Sequence, residues 1–387
     1  MKHIPRILTI DLPPRQSAFL WGARKVGKST YLRNRYPGSI VYDFLNTDLF
    51  FELSKRPALL RERLLARNHE ILEQPVILDE VQKVPGVLDE VHWLIENKRL
   101  RFILCGSSAR KLRRGQANLL GGRAWRFEML PLVSAEIGKL DLLRALNNGL
   151  IPAHYLQENA TRSLRAYTRD YLKEEVFAEG LTRNIPAFSR FFDAMAYSHG
   201  ELTNYANIAR DCGVDAKTVR EYYQVLVDTL LGGFVEPYSR RSSRQVITRA
   251  AKFYLFDVGV AGALTGRKIH DQRGEQFGRA LEHFVLMELR AHAAYQGDNY
   301  AIKFWRTKTG TEVDFVLGDG EIAIEVKGSS HVERKDLRGL EAFADDRKPR
   351  NSILVCTESD QRLTDNGIRI TPWRRFLDEL WSGNIIR

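Results

Sequence analysis

Two acids set opposite each other near the C-terminus have a spacing that implies chemistry. Thr311-Glu312-Val313-Asp314-Phe315-Val316-Leu317 runs into Gly318-Asp319-Gly320 and returns as Glu321-Ile322-Ala323-Ile324-Glu325-Val326-Lys327. Both arms alternate polar and apolar residues, and Asp-Gly between such arms is a hairpin signal. A two-residue loop at Asp319-Gly320 and a four-residue loop that includes its neighbours give one register. Val316 lies opposite Ala323, Phe315 opposite Ile324, Asp314 opposite Glu325, and Glu312 faces Lys327 one pleat further out. Asp314, Glu325, Glu312 and Lys327 then share one face, and Val313, Phe315, Ile324 and Val326 the other. Opposed carboxylates roughly 5 Å apart at Cβ repel unless a cation lies between them. A divalent metal ion is the natural occupant.

A second constellation lies near the N-terminus. Gly22-Ala23-Arg24-Lys25-Val26-Gly27-Lys28-Ser29 fits G-x-x-x-x-G-K-[ST] without a mismatch, follows an apolar strand and opens a helix at Thr30. Glycines there let backbone N–H groups wrap phosphates at a helix N-terminus. Lys28 would reach the β- and γ-phosphates of ATP, and the Ser29 hydroxyl would ligate Mg²⁺. About 50 residues on, Pro75-Val76-Ile77-Leu78-Asp79-Glu80 is an apolar strand ending in two acids. Such a strand end lies beside the phosphate loop in an open α/β sheet. Asp79 would hold Mg²⁺ through water and Glu80 would polarise the attacking water. Ser107, after the apolar Phe102–Cys105 run, would orient that water or sense the γ-phosphate; a plain turn is the alternative. Arg110, Lys111, Arg113, Arg114 and Arg123 follow closely. Arg123 is placed to act as an arginine finger toward a neighbouring subunit, with a solvated basic face or DNA contact as the competing readings.

The elements that must position these residues are readable in outline. Apolar strands Ser17–Trp21, Ile40–Asp43, Val76–Asp79, Phe102–Cys105 and Trp125–Leu130 alternate with helical stretches, the rhythm of a mainly parallel sheet. Residues 1–135 therefore form an α/β core, 136–198 a helical region, 199–265 a helical module with a β-wing, and 266–387 a further α/β domain. Within the third, Asn204–Val214 and Asp215–Tyr223 have helix-turn-helix spacing, with Gly213 at the turn, Asp215 as N-cap, and Ile208, Ala209 and Val219 between the helices. Lys217, Thr218 and Arg220 fall on the exposed early turns, where base or phosphate contacts are made, and Arg240, Arg241, Arg244 and Arg249 cluster in the wing. A purely structural or protein-contacting module is the other reading. In the fourth, Arg279–Leu289 is a helix with Leu281, Phe284, Val285 and Leu289 on one stripe, and Glu282 borders that stripe. Arg306, Lys308, Lys303 and Trp305 precede the hairpin, where they would guide a phosphate backbone.

The composition is that of an ordinary globular protein: 387 residues, 44% hydrophobic and 28% charged. A net charge of +11 favours polyanionic partners, nucleic acid first. No apolar run approaches the roughly 20 residues that span a bilayer, and Met1-Lys2-His3-Ile4-Pro5 lacks a signal-peptide core. Cys105, Cys212 and Cys356 are too few and scattered for a disulfide framework or a zinc site. A cytoplasmic protein with no membrane partner is expected.

The motifs GARKVGKS, ILDEVQ, CGSSAR, NLLGGRAWRFEMLPL, KFYLFDVGV and EVDFV…IEVK together resemble AAA+-type ATP-binding proteins with a C-terminal nuclease-like domain. The resemblance covers nearly the whole chain. It implies a multidomain α/β protein: an AAA+ P-loop NTPase core with helical lid, a winged helix-turn-helix, and a PD-(D/E)xK restriction-endonuclease-like domain. The core would work as a homo-oligomeric ring, a hexamer being favoured. A helix glutamate, then Asp, then Glu-x-Lys is the order of PD-(D/E)xK nucleases and looks closest to archaeal Holliday-junction resolvases. By that resemblance Glu282, Asp314 and Glu325 hold Mg²⁺ or Mn²⁺, and Lys327 helps deprotonate the nucleophilic water. The expected function is ATP-driven processing of DNA, branched junctions included, by a motor coupled to a metal-dependent endonuclease. An ATP-dependent DNA-binding switch with an inactive nuclease fold is the alternative.

Overall fold

The computed structural model describes residues 4–13, 16–68, 72–108, 120–158, 160–168, 184–239, 250–297 and 300–386. They form two compact units, His3–Leu130 with Leu226–Leu231, and Pro131–Val225 with Gly232–Arg387.

The first unit is built on β1 (Ser17–Trp21), β2 (Val41–Asp43), β3 (Val76–Asp79), β4 (Phe102–Gly106) and β5 (Ala124–Glu128). Their order is β2-β3-β4-β1-β5 and each pairing is parallel. β1, β3 and β4 are buried throughout, which is why they read as unbroken apolar runs rather than alternating ones. Helix Val87–Lys98 covers part of the sheet with Val87, Leu88, Val91, Leu94 and Ile95, the three-and-four spacing of one helix face. The C-terminal ends of β1, β3 and β4 open on one edge, where open α/β sheets bind their ligands.

The second unit is organised by an eight-stranded mixed sheet. Its strands are β6 (Gly232–Pro237), β7 (Lys252–Leu255), β8 (Ile302–Arg306), β9 (Glu312–Leu317), β10 (Ile322–Val326), β11 (Asn351–Cys356), β12 (Arg362–Leu363) and β13 (Ile368–Pro372). The order is β12-β13-β11-β10-β9-β8-β6-β7. β6 and β7 pair antiparallel, and β6 joins β8 in parallel through Glu236–Lys303 and Pro237–Phe304. Helix Gly274–Tyr295 packs on β10, and helix Arg338–Arg347 sets Leu340 and Phe343 against Trp305, Val316, Ala323 and Leu354. Glu288, deep in helix Gly274–Tyr295, accepts hydrogen bonds from Ser134 N, Ser134 Oγ and Trp381 Nε1; burial pushes its carboxyl up to about 7.

The KFYLFDVGV segment has a structural centre in Asp257. It caps helix Val258–Thr265 by accepting from Gly259 N and Val260 N, each at 2.9 Å, and from Leu150 N at 2.7 Å. A Cβ on Gly149, which has φ +72°, would collide with that carboxylate, and one on Gly259 would strike the Gly149 backbone. Burial lifts Asp257 to about 6 against the pull of these donors. Asp257→Ala orphans three buried N–H groups, so unfolding of this unit in urea should lose roughly 2–4 kcal/mol. A loss below about 0.5 kcal/mol would remove Asp257 from that role. Among the described residues no helix is long and apolar enough to cross a membrane.

Candidate functional site

The turn after β1 is shaped by close approach. Met129 N donates to Trp21 O at 2.7 Å, and a Cβ on Gly22 would collide with the Met129 carbonyl. Lys25 and Gly27 take φ +63° and +101°; only the glycine does so without strain. Gly27 then caps helix Lys28–Arg35, which has no side-chain cap and no acid in its first turn. Its first N–H groups and dipole therefore have no side-chain acceptor or acid of the helix to neutralise them. Arg6, which sequence reasoning passes over, donates to Val26 O and Leu130 O at 2.7 Å each and straps the loop in place.

The loop's functional side chains turn inward. Lys28 is buried and donates to Gly22 O at 2.7 Å and Ala23 O at 3.0 Å. Ser29 Oγ donates to Asp79 Oδ2 at 2.5 Å, bridging two elements. A hydroxyl beside a carboxylate is a hard-oxygen pair of the kind Mg²⁺ takes, and bound Mg²⁺ would neutralise charge on phosphate oxygens. Ala23 and Val26 are buried, Arg24 is half-buried, and Lys25 and Thr30 are exposed.

At the end of β3, Glu80 adopts φ +55°, sparsely populated for a side-chain-bearing residue. Its Oε2 accepts from Gln82 Nε2, which also donates to Ser107 Oγ at 3.2 Å. Gln82 thus joins two residues expected to act on the water. Arg123 sits beyond the opposite edge. Its carbonyl accepts from Ser17 N, while the loop follows Trp21, which pairs with Glu128. About 16 Å of strand separates Arg123 from the phosphate loop of its own subunit. Its guanidinium pairs with Glu96. Arg110, Lys111, Arg113 and Arg114 lie outside the described residues.

In the second unit the hairpin has the expected register: Leu317–Ile322, Val316–Ala323 and Phe315–Ile324. The connection is the four-residue version, with Gly318 at φ +64° and Gly320 at φ +87°. Beyond Phe315 the backbone ladder gives way to the acids themselves. Asp314 Oδ2 accepts from Val326 N at 2.8 Å, and Glu325 Oε2 accepts from Asp314 N at 3.3 Å. Burial first, then Glu325 and Glu282, holds Asp314 well above the usual carboxylate range; burial also raises Glu325 against the pull of Lys327.

One expectation needs correction here. Glu312 does not face Lys327. β8 places Arg306 opposite Glu312, and the two pair at 2.7 Å, while Lys327 Nζ turns to Glu325 Oε1 at 2.5 Å. A lysine also lies among the acids. Lys252, at the start of β7, pairs with Glu312 and lies 3.7 Å from Glu282, whose Oε1 accepts from Tyr254 OH at 2.5 Å. Among the described residues no three His, Cys, Asp or Glu side chains are grouped to hold a metal ion. Backbone N–H groups, ammonium groups, Arg306 and a phenol contact Asp314 Oδ2, Glu282 Oε1 and the oxygens of Glu312 and Glu325. The surroundings hold Lys252 protonated, because the acids outweigh the effect of its burial. Nothing in the local sequence singles out Lys252.

Lys252, Tyr254, Glu282 and Glu312 line a cleft of roughly 890 Å³ whose walls also include His199, Arg267, Lys268, Arg279 and Arg306. Helices Tyr205–Cys212 and Ala216–Asp228 are joined through Gly213 at φ +67°, and Asp215 Oδ1 accepts from Thr218 N at 2.7 Å. Ile208, Ala209 and Val219 are buried, with Lys217 and Arg220 exposed and Thr218 half-buried. Arg220 stacks over the Tyr205 ring at 5.0 Å. Arg240, Arg241, Arg244 and Arg249 fall outside the described residues.

Comparison with known proteins places a family on the phosphate-loop region. The AAA domain family matches residues 14–138. This part of the chain is similar to P-loop ATPase domains of AAA type. Beyond the ATPase domain, residues 139–271 match a domain of unknown function, DUF8612, and 277–376 another, DUF4143. Two curated relatives are 25% identical over 264 residues: uncharacterized protein Rv2008c of Mycobacterium tuberculosis and uncharacterized protein Mb2031c of Mycobacterium bovis. The alignment takes in 66% of this chain and 59% of each relative, so the chain spans about three fifths of their length. The structure of the Aeropyrum pernix Orc1 protein in complex with DNA aligns with 13% identity and a TM-score of 0.28, over 65% of this chain and 86% of that one.

Proposed function

We propose that the chain is an ATP-hydrolysing, DNA-associated switch, in which the ATPase domain sets the state and the second unit holds the nucleic acid. The observation that carries the reading is the convergence of Lys28, Ser29, Asp79, Glu80 and Ser107 on one sheet edge. Lys28 would stabilise charge on the β/γ-phosphates, Glu80 would orient water, and Ser107 would register the γ-phosphate. Arg123 cannot serve its own loop, which supports supply in trans within a ring, hexameric by resemblance.

DNA is the proposed polymer because cationic side chains are concentrated where a backbone could lie. Lys252, Arg267, Lys268, Arg279 and Arg306 line the cleft, and Lys217 and Arg220 stand on the second helix of a winged-helix-like module. Phosphate contacts release counterions, so binding should weaken with salt. The double variant Lys268→Glu/Arg279→Glu should lose roughly tenfold or more in affinity and show a shallower salt slope, read by fluorescence anisotropy from about 50 to 200 mM salt. Unchanged affinity and slope would remove the cleft as the DNA site.

A second reading, Mg²⁺-dependent cutting of branched DNA, is favoured by one observation: Asp314 and Glu325 are buried together with Lys327 against them. The lysine-filled acid cluster favours the switch with an inactive nuclease fold. Labelled linear, forked and four-way DNAs, incubated with Mg²⁺ with and without ATP, decide between them. Binding without cleavage is expected; cleavage that disappears in Asp314→Ala would restore the nuclease.

A further inference from the structure

Gln82 lies two residues beyond the hydrolytic glutamate and is buried. In an extended chain residues two apart share a face, but their side chains stand one pleat apart. Here the chain is not extended: Glu80 takes the left-handed conformation and Val81–Lys83 winds into a single 3-10 turn. One amide nitrogen then reaches both the Glu80 carboxylate and the Ser107 hydroxyl.

Two further features indicate that this arrangement is built rather than incidental. A Cβ on Gly106 would collide with Gln82 Oε1 and crowd the Trp21 ring, so the end of β4 is kept bare where the amide lies. Gln82 Oε1 itself is buried with no hydrogen-bond partner among the described residues, and a buried unpaired carbonyl costs free energy. The two donor hydrogens are therefore the part of the amide that the site uses. They tie the acid at the end of β3 to the hydroxyl at the end of β4, and β4 is the strand beside the phosphate-loop strand β1.

We propose that Gln82 is the positioning residue of this ATPase: its amide fixes the Glu80 carboxylate against Ser107, setting the acid where it orients the attacking water. The inference rests on the ATPase reading above. It makes Gln82 act on turnover through Glu80 while leaving nucleotide affinity alone, because the Gln82 amide bonds Glu80 and Ser107 rather than the phosphate loop or Asp79.

The test measures steady-state phosphate release and the affinity for a fluorescent ADP analogue on the full chain. The arms are wild type, Gln82→Leu, Gln82→Asn, Glu80→Gln and Glu80→Gln/Gln82→Leu. Gln82→Leu should lower kcat roughly 10- to 100-fold with KM and ADP affinity within about twofold. The same change in the Glu80→Gln background should remove little further activity, because the residue it positions is already gone. Gln82→Asn, one methylene shorter, should fall between and serves if the leucine variant does not fold. Wild-type turnover that survives both Gln82 variants, or an equal loss in the Glu80→Gln background, overturns the inference while leaving the ATPase intact. A wild type that binds nucleotide without hydrolysing it overturns the ATPase reading, and this inference with it.

Discussion

Lys28→Ala should reduce ATP hydrolysis by at least about 10²–10³-fold, the loss expected when a donor aimed at developing charge is removed from a water-poor site. The lysine is buried and its ammonium is held by the Gly22 and Ala23 carbonyls, so it is preorganised at the mouth of the loop. A charge fixed beforehand needs no reorganisation as the β–γ bond breaks. Its removal also orphans two loop carbonyls, which costs about 1–3 kcal/mol of local stability. The loop should survive this, because Arg6 still bonds Val26 O and the Gly22 contact with Met129 is untouched. Nucleotide binding should weaken as well, since the cation meets ground-state phosphates too. Phosphate release by Lys28→Ala and Lys28→Arg, with a thermal melt as control, decides the matter. Hydrolysis above a tenth of wild type in a folded alanine variant would show that the phosphate loop is not the hydrolytic site.

Much of this site is legible in the amino-acid sequence, and the reason is locality. The phosphate loop is eight consecutive residues whose backbone does most of the binding, so motif and site coincide. The buried strands β1, β3 and β4 are unbroken apolar runs, and the acids of β3 follow directly. The helix-turn-helix turn is likewise local: Asp215 caps what it precedes and Gly213 ends what it follows. The hairpin register is legible because the alternation and the Asp-Gly turn agree. The features that escape such reading depend on a third element. Two-strand geometry assigns Glu312 to Lys327, but β8 brings Arg306 to the other side of β9. Lys252 opens a short apolar strand, and nothing in that run announces a lysine aimed inward among acids. Gln82 is visible in the motif, yet its role requires the left-handed Glu80, a conformation that residue type alone does not indicate. The parallel β6–β8 pairing is equally remote, because it joins segments separated by helix Gly274–Tyr295.

The inward-facing lysine gives the second large effect. Lys252→Met should cost the second unit about 3–5 kcal/mol at pH 8, the range for removing one partner of a buried charge group. The ammonium is 7% exposed against Glu312 at 18% and Glu282 at 21%, with Asp314 behind them. Methionine keeps most of the volume, so the loss reports charge more than packing. The pH dependence follows from the acids. Asp314 and Glu325 are raised on folding, so over their shifted range the folded chain keeps protons that the unfolded chain has released. Stability therefore falls as pH climbs from the ordinary carboxylate value through the folded one. Without Lys252 the folded value of Asp314 rises further, and the deficit against wild type should be small near pH 5 and largest at pH 8. Lys252 adds no slope of its own there, because its pKa is raised above an already basic value and it is charged in both states. Urea unfolding of both proteins at the two pH values measures this directly; equal deficits would mean that only packing was lost. Adding Glu312→Gln to Lys252→Met should recover a substantial part of the loss, since the carboxylate left without its ammonium is then neutral. Strict additivity of the two changes would show that Lys252 and Glu312 do not form the pair on which the cluster is built.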